Sequence, residues 1–270
     1  MSDINQAIRQ MNRMDDLTAI DSPIHSLHPL GKLITTTIYI MVVVSFHKYD
    51  LSGLAAMILY PALMFALSTI PPGACFYRMR YVMPLVCAVG LFNPFFDRTP
   101  MLALGRLTIT GGMISMVTLM LKGVLCLTAS FLLAATTSVD SLCSALMQIR
   151  LPRMIVTLFL LTYRYVFVML DEAAVMTEAY RLRAPGQKGI HYKAWGSFLG
   201  QMLLRSMDRA QELYESMLLR GFDGTFNYAR PKKAGIKDFL FPAVMITMFF
   251  VFRFNRVTVL LGGLVLRGAK

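Results

Sequence analysis

The sequence predicts an all-α integral membrane protein with about five transmembrane helices and a cytoplasmic pair of long helices. Of the 270 residues, 56% are hydrophobic and only 16% are charged, whereas about a quarter of a typical soluble domain is charged. Several apolar runs approach the length of about 20 residues that a helix needs to cross a bilayer. The net charge of +12 accompanies these runs, which favours an anionic lipid leaflet over nucleic acid as its partner.

Five apolar runs are the predicted spans, and they lie at residues 33–47, 51–70, 82–96, 111–136 and 239–252. The second and fourth runs have full spanning length, while the other three are short. A sixth run, Met154 to Leu170, spans only if Arg164 is tolerated in its middle. Residues 1–21 are polar and hold four Asp, so we expect no cleavable signal peptide. We place the N-terminus in the cytoplasm and let runs one to four cross, so that the segment with Arg78 and Arg80 also lies inside.

The distribution of basic residues decides how the sixth run is interpreted. Residues 137–238 hold 14 Lys and Arg against 9 Asp and Glu, and basic segments tend to stay in the cytoplasm. We therefore predict an N-terminal membrane region of about four spans at 1–136, a cytoplasmic insertion at 137–238, and a C-terminal span with its tail at 239–270. The alternative, in which the sixth run is a true span, stays open because hydropathy tolerates one Arg in such a run.

Helix signals divide the insertion into two long helices. Pro152 suits a first turn, and no Pro or Gly follows until Pro185, which predicts one helix of about 32 residues. A second helix is predicted to begin near Ala194, with apolar side chains at steps of three and four residues. Gly221 is predicted to end it in the left-handed conformation. The helices end in two arginine-bearing tips, Arg181-Leu182-Arg183-Ala184 and Leu219-Arg220-Gly221.

Short motifs along the chain are similar to those of a known family. They are Ser22-Pro23-Ile24-His25-Ser26-Leu27-His28-Pro29 with Lys32, Asn93-Pro94-Phe95-Phe96-Asp97, Leu151-Pro152-Arg153 with Tyr163-Arg164-Tyr165, and Ser216-Met217-Leu218-Leu219-Arg220-Gly221-Phe222-Asp223-Gly224. Through them the chain resembles the transmembrane T component of energy-coupling-factor transporters, in its cobalt-type group called CbiQ. The last motif resembles the second of two Ala-Arg-Gly-type signatures, with Leu219 in place of Ala. The first signature would fall on Leu182-Arg183-Ala184, which keeps the Arg and departs on both sides.

The resemblance implies a non-catalytic scaffold in a bacterial or archaeal cytoplasmic (inner) membrane. In this family, membrane helices hold a substrate-binding S component, with a small accessory membrane subunit, and two coupling helices each dock one ABC ATPase subunit. ATP and Mg would bind those partners, and no cofactor would bind this chain. The implied cargo is cobalt, with nickel or another cargo left open. The residues implied in coupling are Arg181, Leu182, Arg183, Ala184, Leu219, Arg220 and Gly221.

Motifs of common enzymes are missing from the sequence, which has no G-x-x-x-x-G-K-S/T, H-E-x-x-H or G-x-S-x-G. The competing interpretation is a stand-alone metal-ion channel or secondary carrier, for which Lys122 and Asn93 are the intramembrane polar candidates. Lys122 could instead bind a carboxylate or carbonyls inside the protein. His25 and His28 are weak metal candidates, because no third or fourth ligand lies nearby in the sequence. For Arg220, the alternative is an ordinary C-terminal helix cap.

Overall fold

The computed structural model describes residues 22, 24–25, 27–68, 70, 72–96, 100–104, 107–187, 189–222 and 235–254. These residues divide into two compact units. We name residues 22–138 with 235–254 the core unit, and residues 139–222 the arm unit. Residues 1–21 and the tail from residue 255 lie outside the described part. The placement of each unit relative to the membrane stays a prediction.

The described chain is helical apart from one short hairpin, so the prediction of a helical protein is confirmed. In chain order the elements are α1 (Pro29–Ser45), α2 (Leu51–Ala56), α3 (Leu59–Ser68), α4 (Pro72–Phe96), β1 (Pro100–Leu104), β2 (Leu107–Thr110), α5 (Gly111–Thr136), α6 (Val139–Gln148), α7 (Arg153–Arg183), α8 (Tyr192–Leu219) and α9 (Ile236–Phe254). The antiparallel pair β1–β2 was not predicted, because its strands are short and lie between two much stronger helical patterns.

Three aromatic rings form the centre of the core unit. Tyr39 of α1, Tyr60 of α3 and Phe249 of α9 are each at most 1% exposed. Their ring centroids are 4.5 Å apart for the two tyrosines, and 5.2 and 5.1 Å from Phe249, distances typical of favourable aromatic pairs. The Tyr60 hydroxyl lies 3.3 Å from Thr36 Oγ1. The cluster therefore joins the first, second and last predicted spans.

The second predicted span, residues 51–70, is not one continuous helix. It is divided into α2 and α3 at Met57 and Ile58. Pro61 has no N–H to donate to the Met57 carbonyl four residues earlier. That carbonyl accepts the buried Tyr39 hydroxyl at 3.0 Å and the Tyr60 N–H at 3.4 Å. The break thus depends on Pro61 and on the Tyr39 hydroxyl of a neighbouring helix, which binds the freed backbone oxygen.

The helices α4 and α5 pack closely along the core unit. A Cβ added at Gly123 of α5 would lie 2.8 Å from Val86 Cγ1 of α4, so the glycine permits the close approach. With 25 residues, α4 begins ten residues before the predicted run at 82–96 because it also includes the Arg78 and Arg80 region. The predicted run was therefore right in its end and too short at its start.

Two described helices are long and apolar enough to cross a membrane, α5 and α7. Shorter apolar helical stretches cover Pro29–Ser45, Gly53–Ser68 and Met79–Phe92, and the second of these includes the break between α2 and α3. Large apolar side chains are exposed on the core unit, among them Met41, Val44, Leu85, Val89, Phe92, Val117 and Val244. An apolar surface of this extent is unusual for a soluble protein and suits contact with lipid. The span count stays a prediction, and so does the cytoplasmic placement of α7.

Candidate functional site

The first long helix of the arm unit is a single helix of 31 residues, Arg153–Arg183, as predicted. Its start packs on α6 through the buried side chains of Cys143, Val156 and Leu160. Burial raises the pKa of the Cys143 thiol, and the neighbouring Asp140 carboxylate raises it further, so this cysteine is a protonated apolar packing group. The apolar start of α7 thus has one partner inside the arm unit.

The first tip ends α7 in a closed turn. The Ala184 N–H donates to the Tyr180 carbonyl at 3.0 Å. The Tyr180 hydroxyl donates to Gln187 Oε1 at 3.0 Å and accepts the His191 N–H at 3.3 Å. These bonds join the end of α7 to the start of α8. Leu182 is 79% exposed, and Arg181 and Arg183 are also exposed.

The second tip ends α8 in a Schellman motif. Gly221 has φ +80°, the left-handed conformation predicted for it. The Phe222 N–H donates to the Met217 carbonyl at 3.0 Å, and the Gly221 N–H donates to the Leu218 carbonyl at 2.9 Å, which is the bonding pattern of this motif. Leu219 is 90% exposed and Arg220 is exposed.

Neither helix end is capped by a tip arginine, and this leaves the tip arginines available. Three guanidinium groups form no hydrogen bond or ion pair with any described residue, and they belong to Arg181, Arg183 and Arg220. The Arg220 side chain therefore does not close its helix within the described residues, although the cap was the competing interpretation. The end of that signature, Asp223 and Gly224, lies outside the described part. Each tip presents an exposed leucine beside an exposed guanidinium, which can donate five hydrogen bonds to a partner.

The two long helices are joined in their middle by an ion pair between Glu172 of α7 and Arg205 of α8. On α8, Ala194, Phe198, Met202 and Leu213 are partly buried, while Leu199, Leu203 and Tyr214 are exposed on another face. No residue of α8 is fully buried. The apolar stripe predicted from the sequence is therefore only partly covered in this chain.

In the core unit, Lys122 binds backbone carbonyls. Its Nζ donates to the carbonyls of Val44 at 3.1 Å and Phe46 at 2.5 Å. Arg253 of α9 donates to the Ser45 carbonyl between them at 3.2 Å, and its guanidinium lies 4.9 Å from the centre of the Phe46 ring. These contacts fit the structural interpretation of Lys122. Asn93, the other intramembrane candidate, lies near the end of α4, and its side chain is outside the described part.

The two histidines before α1 have partners other than a metal ion. His25 Nδ1 lies 2.6 Å from Ser22 Oγ, and its Nε2 lies 3.3 Å from the Ala135 carbonyl oxygen. His28 is the N-cap of α1, and its Nδ1 accepts the Leu30 N–H at 3.3 Å. Among the described residues, no three His, Cys, Asp or Glu side chains come together as a metal site.

Sequence reasoning missed two charged side chains beside these histidines. Lys32 is only 4% exposed and donates to the Thr136 carbonyl at 2.7 Å. Asp238 accepts the His28 N–H at 2.8 Å. The sequence did contain a signal for these two residues: a lysine at the start of the first apolar run and an aspartate at the start of the last one. A charged side chain in such a place needs a partner.

Comparisons with known proteins agree with the motifs. Residues 21–232 match the model of a family described as CbiQ, cobalt transport protein. Over 93 residues the chain is 34% identical to cobalt transport protein CbiQ of Rhodobacter capsulatus, covering 34% of this chain and 38% of that protein. It is 32% identical over 106 residues to a protein of Methanocorpusculum labreanum described as a fused cobalt transport protein CbiMQ, covering 39% and 17%.

A third relative is described as a nickel permease. This protein, LarQ of Lactiplantibacillus plantarum, is 25% identical over 119 residues, covering 43% of this chain and 44% of the relative. The matches span less than half the length of each of these curated relatives. The family match covers most of the chain, and the named relatives are two cobalt transport proteins and a nickel permease. The chain belongs to the CbiQ family of cobalt transport proteins.

Proposed function

We propose that this chain is the energy-coupling membrane subunit of an ATP-driven metal uptake complex. In this proposal two ABC ATPase subunits dock on the tips of α7 and α8, and the core unit holds a membrane-embedded substrate-binding component. The observation that carries the proposal is the pair of tips, each with an exposed leucine and an exposed arginine at the end of a long helix.

The chemistry of the tips suits docking on a folded partner. A planar guanidinium binds carboxylates or carbonyls through several hydrogen bonds at once, and interface energy concentrates in a few such residues. Leu182 and Leu219 are 79% and 90% exposed, so burying them on a partner removes apolar surface from water. Two similar tips suit two copies of one partner, or two related partners.

The cargo that we propose is a cobalt or nickel ion. The named relatives comprise two cobalt transport proteins and a nickel permease. The histidines and Lys122 of this chain already contact protein groups. We therefore assign selection of the metal to the substrate-binding partner, and the fused CbiMQ relative is consistent with a membrane partner close to this subunit.

The decisive experiment is co-purification from membranes in mild detergent with the ATPase subunits co-expressed. The Arg183→Ala, Arg220→Ala double variant should lose the ATPases, because removal of interface arginines costs about 2 kcal/mol or more for each important residue. Arg209→Ala is the matched control, since Arg209 is an exposed arginine of α8 that pairs with Glu212 at 3.2 Å away from the tips.

Two results would contradict the proposal. One is full ATPase binding and ATP-driven uptake by the double variant. The other is metal transport by the purified chain alone in liposomes without ATP, which would identify a stand-alone carrier or channel.

A further inference from the structure

The chain enters and leaves the arm unit at two points that both contact the start of α1. At the first point, α5 ends at Thr136, three residues before the arm unit begins at Val139. At the second, the described chain, which ends in the arm unit at Phe222, resumes at Gly235 of the core unit, one residue before α9 begins at Ile236. Residues near both points bind the segment from His25 to Lys32. Any force on the arm unit therefore reaches the membrane helices through contacts with this segment as well as through the chain itself.

At the first point, Lys32 and His25 contact the end of α5. The buried Lys32 ammonium donates to the Thr136 carbonyl at 2.7 Å, and His25 Nε2 lies 3.3 Å from the Ala135 carbonyl oxygen. Both oxygens belong to the last turn of α5, the negative end of the helix dipole, where a cation is favoured. The next residue, Thr137, has a buried Oγ1 without a hydrogen-bond partner among the described residues.

At the second point, Asp238 joins the start of α9 to the residue before α1. One carboxylate oxygen accepts the His28 N–H at 2.8 Å, and the other accepts the Gly235 N–H at 2.8 Å. The helices also approach closely here, because a Cβ added at Gly31 would lie 3.1 Å from the Asp238 carbonyl oxygen. Pro242 has no N–H to bind that oxygen within α9. The start of α9 is thus held on the first turn of α1.

We propose that Lys32 and Asp238 are positioning residues that couple movement of the arms to the membrane helices. By fixing the end of α5 and the start of α9 to α1, they make the attachment points of the arm unit move with the core instead of bending independently. This inference rests on the proposed function, since it specifies how the same subunit transmits its motion.

The test uses the full complex reconstituted in liposomes, with ATP hydrolysis and uptake of Co²⁺ or Ni²⁺ measured in the same preparation. For Lys32→Met and Asp238→Asn we expect normal co-purification of ATPases and continued hydrolysis. Uptake per ATP hydrolysed should fall about tenfold, within the range of coupling free energies between distant sites. Loss of stability alone would lower hydrolysis and uptake together, so the ratio separates positioning from folding.

Two further variants keep the test decisive. Gly31→Ala retains every charge but crowds the Asp238 carbonyl, and it should lower the same ratio even if Lys32→Met fails to fold. Arg253→Met removes a cation from the carbonyls at the other end of α1 and should leave the ratio unchanged. A wild-type ratio in both Lys32→Met and Gly31→Ala, or an equal loss in Arg253→Met, would overturn the inference. Absence of ATP-driven uptake by the wild-type complex would instead overturn the proposed function on which it rests.

Discussion

At the residue scale, Lys122 has a physical reason to lie in the middle of an apolar helix. The 17 residues of α1 span about 25 Å at 1.5 Å per residue, less than the bilayer core of about 30 Å. In the predicted membrane placement, the last carbonyls of α1 end within the apolar part of the bilayer, where unsatisfied backbone groups are costly. Lys122 and Arg253 supply the donors that the short helix lacks.

This account predicts the effect of removing the ammonium group. Lys122→Met should lower thermal stability in detergent by about 1 to 3 kcal/mol, the range for hydrogen bonds made by a charged donor. The measurement is a thermal unfolding curve of the purified subunit, with Thr247→Val of α9 as the control, since Thr247 bonds only its own helix at the Ala243 carbonyl. Unchanged stability of Lys122→Met would reopen a transport role for this lysine.

For Lys122, the sequence predicted the need for a partner but not which groups supply it. Sequence alone identified Lys122 as an intramembrane charge in need of a partner, but the alternatives were a substrate, a carboxylate or a carbonyl. Its acceptors lie 76 and 78 residues away in the chain, and no local pattern links positions so distant. Lys32 and Asp238 were missed for the same reason, because their roles depend on which helix ends meet in space.

At the scale of the elements, local signals predicted the two long helices of the arm unit well, but not the short helix α6 before them. Pro152, the uninterrupted run that follows it and Gly221 predicted two long helices, and the observed bounds differ by only one or two residues at most ends. The break in the second span escaped prediction because it depends on both Pro61 and the Tyr39 hydroxyl of another helix. Periodicity reports which face of a helix is apolar, whereas a tertiary contact decides where such a helix can be interrupted.

The end of α8 provides an element-scale prediction. Gly221→Ala should loosen the second tip, because the left-handed conformation costs an L-residue about 1 to 2 kcal/mol. We expect faster amide hydrogen exchange at Gly221 and Phe222 positions and weaker ATPase binding.

The control changes another glycine of the same helix. Gly196→Ala should have the opposite effect on helix stability, since Gly196 lies inside α8, a Cβ there meets no atom within 4 Å, and alanine is favoured over glycine by about 1 kcal/mol. Equal exchange in wild type and Gly221→Ala would contradict the role given to the cap.

For the whole molecule, the central prediction is the placement of the arm unit in the cytoplasm. In a variant with all four cysteines replaced, Gln187→Cys lies at the exposed turn between α7 and α8. A membrane-impermeant maleimide should label it only after the cells are permeabilised. If α7 crosses the membrane, the reagent will label this position in intact cells.

The reference position is at the other end of the first span. Lys48 is exposed between α1 and α2, so Lys48→Cys should react from outside without permeabilisation. The two cysteines together establish the orientation of the chain, since labelling of both from the same side would contradict the predicted topology.

The aromatic cluster has a consequence for biosynthesis. Tyr39 and Tyr60 are made early, whereas Phe249 belongs to α9, the last of the described helices, and lies against both rings. A ribosome must therefore add nearly two hundred residues after Tyr60 before the third ring is available. Until then the aromatic cluster at the centre of the nascent core unit lacks its third ring. A chain that stops before α9 never acquires that ring.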